Sequence, residues 1–316
     1  MRIQVIDRKG KRYPNKKTGK RVVTVTDLLL HGILLCGVLL SALPVLLILS
    51  VSFSSEASIL SNGYAFIPKE FSLSTYRFLF REPSVIFRAY GVTILTTVLS
   101  TLLGLATVAL FAYPLSRREY RFSEQITFFM FFTMLFSGGL VAYYIVMTGL
   151  FNMRDNLLAM ILPFGFNAFW VIVMRTFYRT QIPDSLVESA RIDGAGEWRT
   201  LVQIVLPLSV PGLATIALFT ALAVWNDWFN CMLFVSRTDL SNLQTMIYRA
   251  LRSVQMLRDI MAKIGSAGVL ADAAAKMPSE TFRMALCVVA IGPIILAYPF
   301  FQKYFIRGLS VGAVKG

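Results

Sequence analysis

The chain has 316 residues, of which 56% are hydrophobic and 15% charged, and a formal net charge of +14. A soluble domain carries roughly 25% charged residues, so this composition excludes an ordinary water-soluble globule. The apolar residues fall in blocks of about 20, the length a helix needs to cross a hydrocarbon core of roughly 30 Å. The pattern predicts an all-α, polytopic membrane protein.

Residues 1–27 form a basic tail, with nine Lys or Arg against Asp7 and Asp27. A basic segment before a first span is an ordinary topology signal that also touches anionic lipid. It is read that way here, not as an arm for nucleic acid. The apolar run from residue 28 is too long for the core of a cleaved signal peptide.

Six transmembrane helices are predicted, at 28–53, 90–115, 126–147, 157–177, 212–235 and 282–305, within a transmembrane domain over 28–305. The third contains Ser137, Gly138 and Gly139, and the fourth Pro163, Gly165 and Asn167. Such breaks are tolerated where neighbouring helices or buried water satisfy the freed backbone groups. Lys and Arg near span ends stay on the cytoplasmic side. The basic tail, Arg117, Arg118 and Arg121 after the second span, and Lys303, Arg307 and Lys315 at the sixth therefore place both termini inside. Segments 114–125, 178–211 and 306–316 lie inside with them, and the long loops 54–89 and 236–280 outside. Those loops carry Lys and Arg too, so the tail decides most of this orientation.

Cys36, Cys231 and Cys287 all fall inside predicted spans, with neither metal-ligand nor disulfide spacing. They read as small packing residues. The single histidine, His31, reads as an interfacial side chain.

One polar segment stands out between the fourth and fifth spans: ESARIDGAGEWRTLVQIVLP, residues 188–207. Pro183, Asp184 and Ser185 are a helix-start signal, with Ser185 and Glu188 at capping-box spacing. The spacing predicts a first helix over 186–192. Asp193 and Gly194 stop it, with Gly194 free to take the left-handed conformation. A second helix over 197–206 is interrupted by Pro207 and Pro211 before the fifth span. Small residues at Ser189 and Ala190 beside Glu188 let another surface approach closely. The segment is either a rigid lever that docks into a soluble partner or an interfacial amphipathic helix with no partner.

The fifth span holds Trp225, Asn226, Asp227 and Trp228, roughly 20–24 Å along it at 1.5 Å per residue and beyond the midplane. An acid in a span is disfavoured and usually faces the bundle interior. Trp225 and Trp228 are three apart and share a helical face.

The chain lacks the usual chemistry of an enzyme. It has no histidine pair, no HExxH, no GxSxG and no GxxxxGK[ST] phosphate loop. Gly194, Ala195 and Gly196 only imitate a dinucleotide fingerprint, since Arg199 stands at the third glycine position. A conduit is expected, with any energy supplied by an ion gradient or another subunit.

The polar segment resembles the EAA loop of ATP-binding-cassette (ABC) importer permeases. That pattern is E-A-A, three residues, G, nine residues, I, one residue, L-P. Glu188, Ala190, Gly194, Ile204, Leu206 and Pro207 stand at those spacings, with Ser189 for the first alanine. The resemblance decides for the lever. Asp193, Gly194 and Ala195, with Leu206, Pro207, Leu208 and Pro211, are similar to the carbohydrate branch, as is the quartet 225–228. The endings 299–305 and 312–316 resemble a maltose-permease-like subgroup that handles complex oligosaccharides and is often associated with Gram-positive bacteria.

The resemblance implies a non-catalytic subunit of the bacterial cytoplasmic membrane that binds no cofactor itself. A second homologous six-span permease completes the pathway. Two copies of an ABC ATPase hold ATP and Mg, and an extracytoplasmic binding protein delivers the sugar. Glu188 would pair with a basic residue of the ATPase, Gly194 would make the bend, and the helix around 188–193 would transmit ATPase closure. Trp225 and Trp228 would stack on sugar rings or belong to the aromatic belt, and Asn226 and Asp227 would serve structure. Loop 236–280 either reaches toward the binding protein or is a solvated connector, and its Arg249, Arg252 and Arg258 would favour an acidic, uronate-containing sugar. The alternatives are an EAA-loop permease for a non-sugar solute and a gradient-driven secondary transporter.

Overall fold

The computed structural model describes residues 25–264 and 280–313, together with two-residue strands β1 (Val5–Ile6) and β2 (Arg12–Tyr13), which pair antiparallel. The rest of the basic tail, residues 265–279 and 314–316, and the side chains of Arg258, 261–264, 296–298 and 300–313 lie outside the described residues. The expectations placed on Asp7, Lys303, Arg307, Lys315 and the endings 300–305 and 312–316 lie there with them.

The remainder is helical. α1 (Val25–Ser52) is followed by the short α2 (Glu56–Asn62) and α3 (Ser74–Leu79), then by α4 (Pro83–Ser116). α4 has 34 residues, about 51 Å at 1.5 Å per residue, well beyond a hydrocarbon core. It starts seven residues before the predicted span because Pro83 stands in its first turn, where a missing N–H removes nothing.

The third span is not one helix. α5 (Ser123–Leu135) and α6 (Gly139–Ile145, continued by a π turn at Val146–Leu150) meet at 110°. Gly139 adopts φ +80 at the break, a conformation open to glycine. The fourth is kinked by 41° between the α7 segment (Leu158–Ile161, extended by the 3-10 turn Leu162–Phe164) and α8 (Ala168–Gln181). Asn167 Oδ1 accepts from Trp170 N at 3.3 Å and so caps α8. Segment 178–211 then forms α9 (Asp184–Ile192), α10 (Glu197–Thr200), a π turn and α11 (Leu206–Leu208). α12 (Val210–Trp225), α13 (Phe229–Phe234), α14 (Leu243–Ile264) and α15 (Glu280–Ala313) complete the chain.

Among the described residues two helices, Thr26–Ser52 and Pro83–Ser116, are long and apolar enough to cross a membrane, or five spans if each of three bent pairs is one. α15 carries the remaining apolar block.

α4 is the central post. α8 and α12 pack along it, and α15 joins α12 to α1. A core at one end gathers Val108, Leu115, Met174, Tyr178, Val187, Val205 and Ile216 from α4, α8, α9, the π turn and α12. At the other end Ala89, Trp225, Leu243, Phe282 and Leu286 pack together. Leu28, Leu29, Leu30, Ile33, Leu34 and Leu35 are exposed on every side of α1. A helix that is apolar all round and uncovered is stable only in lipid or against another chain. Cys36 is exposed there, Cys287 is half-buried and Cys231 is buried, and all three are free thiols. His31 Nδ1 lies 2.5 Å from the Asp27 carbonyl oxygen within α1.

Where α4 passes the α7–α8 kink, the backbones nearly touch. A Cβ on Gly104 would lie 3.0 Å from the Phe164 carbonyl oxygen. Thr107 Oγ1 donates to the Gly165 carbonyl, so α4 supplies a donor to backbone that the kink has freed. Replacing Gly104 with valine should destabilise the bundle by about 1–3 kcal/mol, read as a lower midpoint of thermal unfolding in detergent.

Candidate functional site

The site is built on the C-terminus of α4. The last carbonyls of a helix have no partner within it. Here Arg175 Nε donates to Leu115 O at 2.9 Å, Arg179 Nε to Ser116 O at 3.2 Å, and Arg179 Nη2 to Leu115 O at 3.2 Å. Ser123 Oγ, from the first turn of α5, donates to Leu115 O at 2.6 Å. Two cations at a helix C-terminus also oppose its negative dipole end.

α9 lies against this junction. It starts at Asp184, two residues earlier than the sequence predicts. Its N-cap is Pro183, with no side-chain cap bond. Ser185 is inside the helix, so the predicted capping box with Glu188 does not form. Val187 and Ala190 are buried and face the bundle, whereas Glu188 and Ser189 are exposed. Ser189 Oγ donates back to Ser185 O at 2.8 Å. Glu188 makes no hydrogen bond or ion pair among the described residues and borders a cavity of about 160 Å³ shared with Arg117, Arg118 and Asp184.

The turn after α9 explains the Asp193, Gly194, Ala195 run. Asp193 is the C-cap, Gly194 takes φ +80, Gly194 N donates to Arg191 O at 3.0 Å and Ala195 N to Ala190 O at 2.9 Å. Those two bonds are a Schellman motif. Nothing lies within 4 Å of where a Gly194 Cβ would be, so the requirement for glycine is conformational, not spatial.

Arg191 then ties three elements together. Its Nη2 lies 2.9 Å from Glu119 Oε2 and 2.8 Å from Glu197 Oε1, and Tyr113 OH donates to Glu197 Oε2 at 2.6 Å. The Tyr113 bond and then Arg191 hold the Glu197 carboxyl below the usual carboxylate range, and the Arg191 bond does the same for Glu119. Both acids are therefore charged at neutral pH. The tie weakens only as pH falls through those depressed values.

The second helix does not run unbroken over 197–206. α10 passes into a π turn at Leu201–Val205, and the chain remains helical through Pro207 to Leu208. The wider turn absorbs the missing proline N–H. The stop comes at Ser209, whose N and Oγ both donate to Val205 O, at 3.0 and 2.5 Å. There the chain bends 77° into α12, with Pro211 in the first turn. Ile204 and Leu206 are half-buried and Pro207 is exposed. Around α9 and α10, Ile192 is 86% and Trp198 69% exposed.

The quartet 225–228 lies toward the other end. Helix α12 ends at Trp225 and α13 begins at Phe229, so the two tryptophans do not share a helical face. Trp225 is buried, its Nε1 donating to Ala290 O at 3.2 Å. Trp228 is 39% exposed and stacks on Tyr248 at 4.8 Å between centroids. Asn226 is exposed and Nδ2 donates to Leu222 O at 2.8 Å. Asp227 accepts from Asn230 N and Asn230 Nδ2, both at 3.1 Å, and Tyr143 OH donates to Asn230 Oδ1 at 2.8 Å. Tyr143, Asn230 and Tyr248 were not singled out from sequence, because no local spacing joins them to the quartet. On α14, Arg249 is committed to Ser241 Oγ at 2.9 Å and Val235 O at 2.8 Å. Arg252 is exposed, its guanidinium 5.8 Å from the Tyr248 ring centroid.

Residues 93–311, which include α9 to α12 entire, match the family model described as the binding-protein-dependent transport system inner membrane component. The chain belongs to that family. It is 37% identical over 303 residues to Protein LplC of Bacillus subtilis (strain 168), covering 96% of this chain and 97% of that protein. It is 35% identical over 290 residues to the polygalacturonan/rhamnogalacturonan transport system permease protein YtcP of the same strain, covering 92% and 98%. A solved bacterial ABC transporter involved in the import of the acidic polysaccharide alginate contains a chain that superposes with a TM-score of 0.71 at 29% identity, over 93% of this chain and 100% of that one. The chain is accordingly a transport permease component.

Left-handed backbone disfavours an L side chain by about 1–2 kcal/mol. Gly194→Ala should therefore raise amide hydrogen exchange in α9 by roughly tenfold while leaving α4 and α8 protected.

Proposed function

We propose that the chain forms half of the translocation pathway of an ATP-driven importer of oligosaccharides, and that α9 is the lever through which the ATPase acts. The observation that carries this reading is the geometry of α9. It is locked at its C-terminus by Gly194, tied to the α4–α5 connection and α10 through Arg191, and still leaves Glu188 and Ile192 uncovered. A short rigid helix with one free carboxylate and an apolar tip suits a groove on a soluble partner.

In this reading six spans put both termini on one side, and the basic tail makes that side the cytoplasm, with α9 there and loop 236–280 outside, in a bacterial cytoplasmic membrane. The partners are a second homologous permease, two copies of an ATPase that carry ATP and Mg, and an extracytoplasmic binding protein. Glu188 meets a basic residue of the ATPase. Asn226 and Trp228 face the pathway, while Asp227 holds Asn230 and the start of α13. The substrate is an acidic oligosaccharide. Two of the similar proteins are described with polygalacturonan/rhamnogalacturonan and with alginate, and Arg252 presents an exposed cation beside the Trp228–Tyr248 stack.

The lever is tested in the reconstituted importer. Glu188→Ala combined with Gly194→Pro should leave the chain in the membrane but lower ATP-driven uptake at least tenfold, since proline cannot adopt φ +80. Normal uptake by that double variant would sink the lever. For the substrate, Arg252→Gln should weaken uptake of an acidic oligosaccharide severalfold more than that of a neutral one of equal length. Equal effects on both would remove Arg252 from charge recognition.

A further inference from the structure

One cation at the α9 end has no side-chain hydrogen bond or ion pair among the described residues. Arg117, the residue after α4, is 8% exposed. Its Nε and Nη2 have no hydrogen-bond partner, and its guanidinium lies 4.9 Å from the Tyr113 ring centroid. None of the nearby acids forms an ion pair with it among the described residues: Glu119 and Glu197 turn to Arg191, Asp184 lies 3.9 Å from Arg118, and Glu188 borders the smaller cavity beside it without pairing. A buried guanidinium with idle donors is unfavourable unless something charged or polar reaches it.

Arg117 lines a groove of about 430 Å³ whose walls are mainly apolar and include Leu110, Tyr113, Trp198 and Leu201. Leu110 and Trp198 are both exposed. Glu119 borders it as well and commits only Oε2 to Arg191, leaving Oε1 without a hydrogen bond among the described residues. The groove therefore brings together an apolar wall running along α4, a guanidinium whose Nε and Nη2 are buried without partners, and a carboxylate with a free acceptor. Guanidinium matches a phosphate in charge and geometry. A carboxylate beside it rejects a second anion and accepts an ammonium.

We propose that this groove seats a phosphatidylethanolamine of the inner leaflet, with its phosphate on Arg117, its ammonium on Glu119 and an acyl chain along Leu110. The site rests on the reading that places the α9 end at the cytoplasmic surface. A lipid held there would brace the junction of α4, α9 and α10.

The test uses the assembled importer, stripped of lipid in detergent and supplied with phosphatidylethanolamine, phosphatidylglycerol or phosphatidylcholine, with retained lipid counted by native mass spectrometry. Phosphatidylethanolamine should be retained at least tenfold over the other two. Arg117→Gln and Glu119→Gln should each reduce that preference to within about twofold, while Arg121→Gln keeps it. Should Arg117→Gln fail to assemble, Leu110→Trp fills the groove with both charges intact and should likewise abolish the preference. Equal retention of all three lipids, a preference for phosphatidylglycerol, or displacement by inorganic phosphate alone would overturn the proposal. So would a photo-crosslinker at Leu110 that captures polypeptide in place of lipid. ATP-driven uptake measured on the same preparations separates the two readings: lipid selectivity without uptake in any lipid would count against the importer and leave the groove standing.

Discussion

The carbonyl oxygens of Leu115 and Ser116 are the point from which the α9 end is built. α4 is too long for the bilayer alone and ends where water is scarce, so its terminal acceptors need donors from protein. Arg175 and Arg179 are four apart on α8, so one face of that helix presents two guanidinium groups one turn apart. Both point at the end of α4, and Ser123 adds a third donor from α5. Removing these donors would leave the end of the central post without partners and the angle between α4 and α8 undetermined. α9 follows directly from α8, so its position is set by the same bonds.

On that platform α9 is held by two different kinds of interaction. The Schellman turn is pure backbone and depends on one residue, Gly194. The Arg191 tie is electrostatic and joins residues 72 apart in sequence, Glu119 and Arg191. The first fixes the shape of α9, and the second fixes where it stands. Surface ion pairs contribute little individually, but here one guanidinium serves two carboxylates, and the hydroxyl of Tyr113 steadies one of them. An arrangement of this kind has one well-defined geometry, which a moving element needs if it is to carry displacement.

Much of this was legible beforehand, and for identifiable reasons. The stop at Asp193 and Gly194 could be read because a left-handed residue at a helix end has a strong local signature. The apolar blocks announced the long helices by their length. The start of α9 was misplaced by two residues because Pro183 can end a loop as well as open a helix, and Ser185 with Glu188 offered a false capping pattern. The breaks at Gly139 and at 226–228 were visible as glycine and polar residues, but the 110° bend and the separation of Trp225 from Trp228 depend on packing against distant helices. The Tyr143 to Asn230 bond spans 87 residues. No local pattern contains it.

For the lever proposed above, the breaks decide how a push on α9 would be carried. A continuous helix from α10 through the quartet would move as one rod. Instead the chain bends 77° at Ser209, and α12 then runs 16 residues to Trp225, about 24 Å at 1.5 Å per residue. Ser209 is buried and doubly bonded to Val205 O, so that corner is pinned, and under the proposed lever a sideways displacement of α10 and α11 would move α12 against α4. The far end is different. After Trp225, buried and bonded to α15, the backbone leaves the helix for three residues before α13 begins. Asp227 grips α13 by its first turn, and Asn242 Nδ2 donates to the Asp227 carbonyl, joining the start of α14 to the same point. Asp227 and its neighbours therefore link the end of α12 to α13 and α14. These bonds join α12, α13 and α14 at one point and place Asn226 and Trp228 at the joint between them.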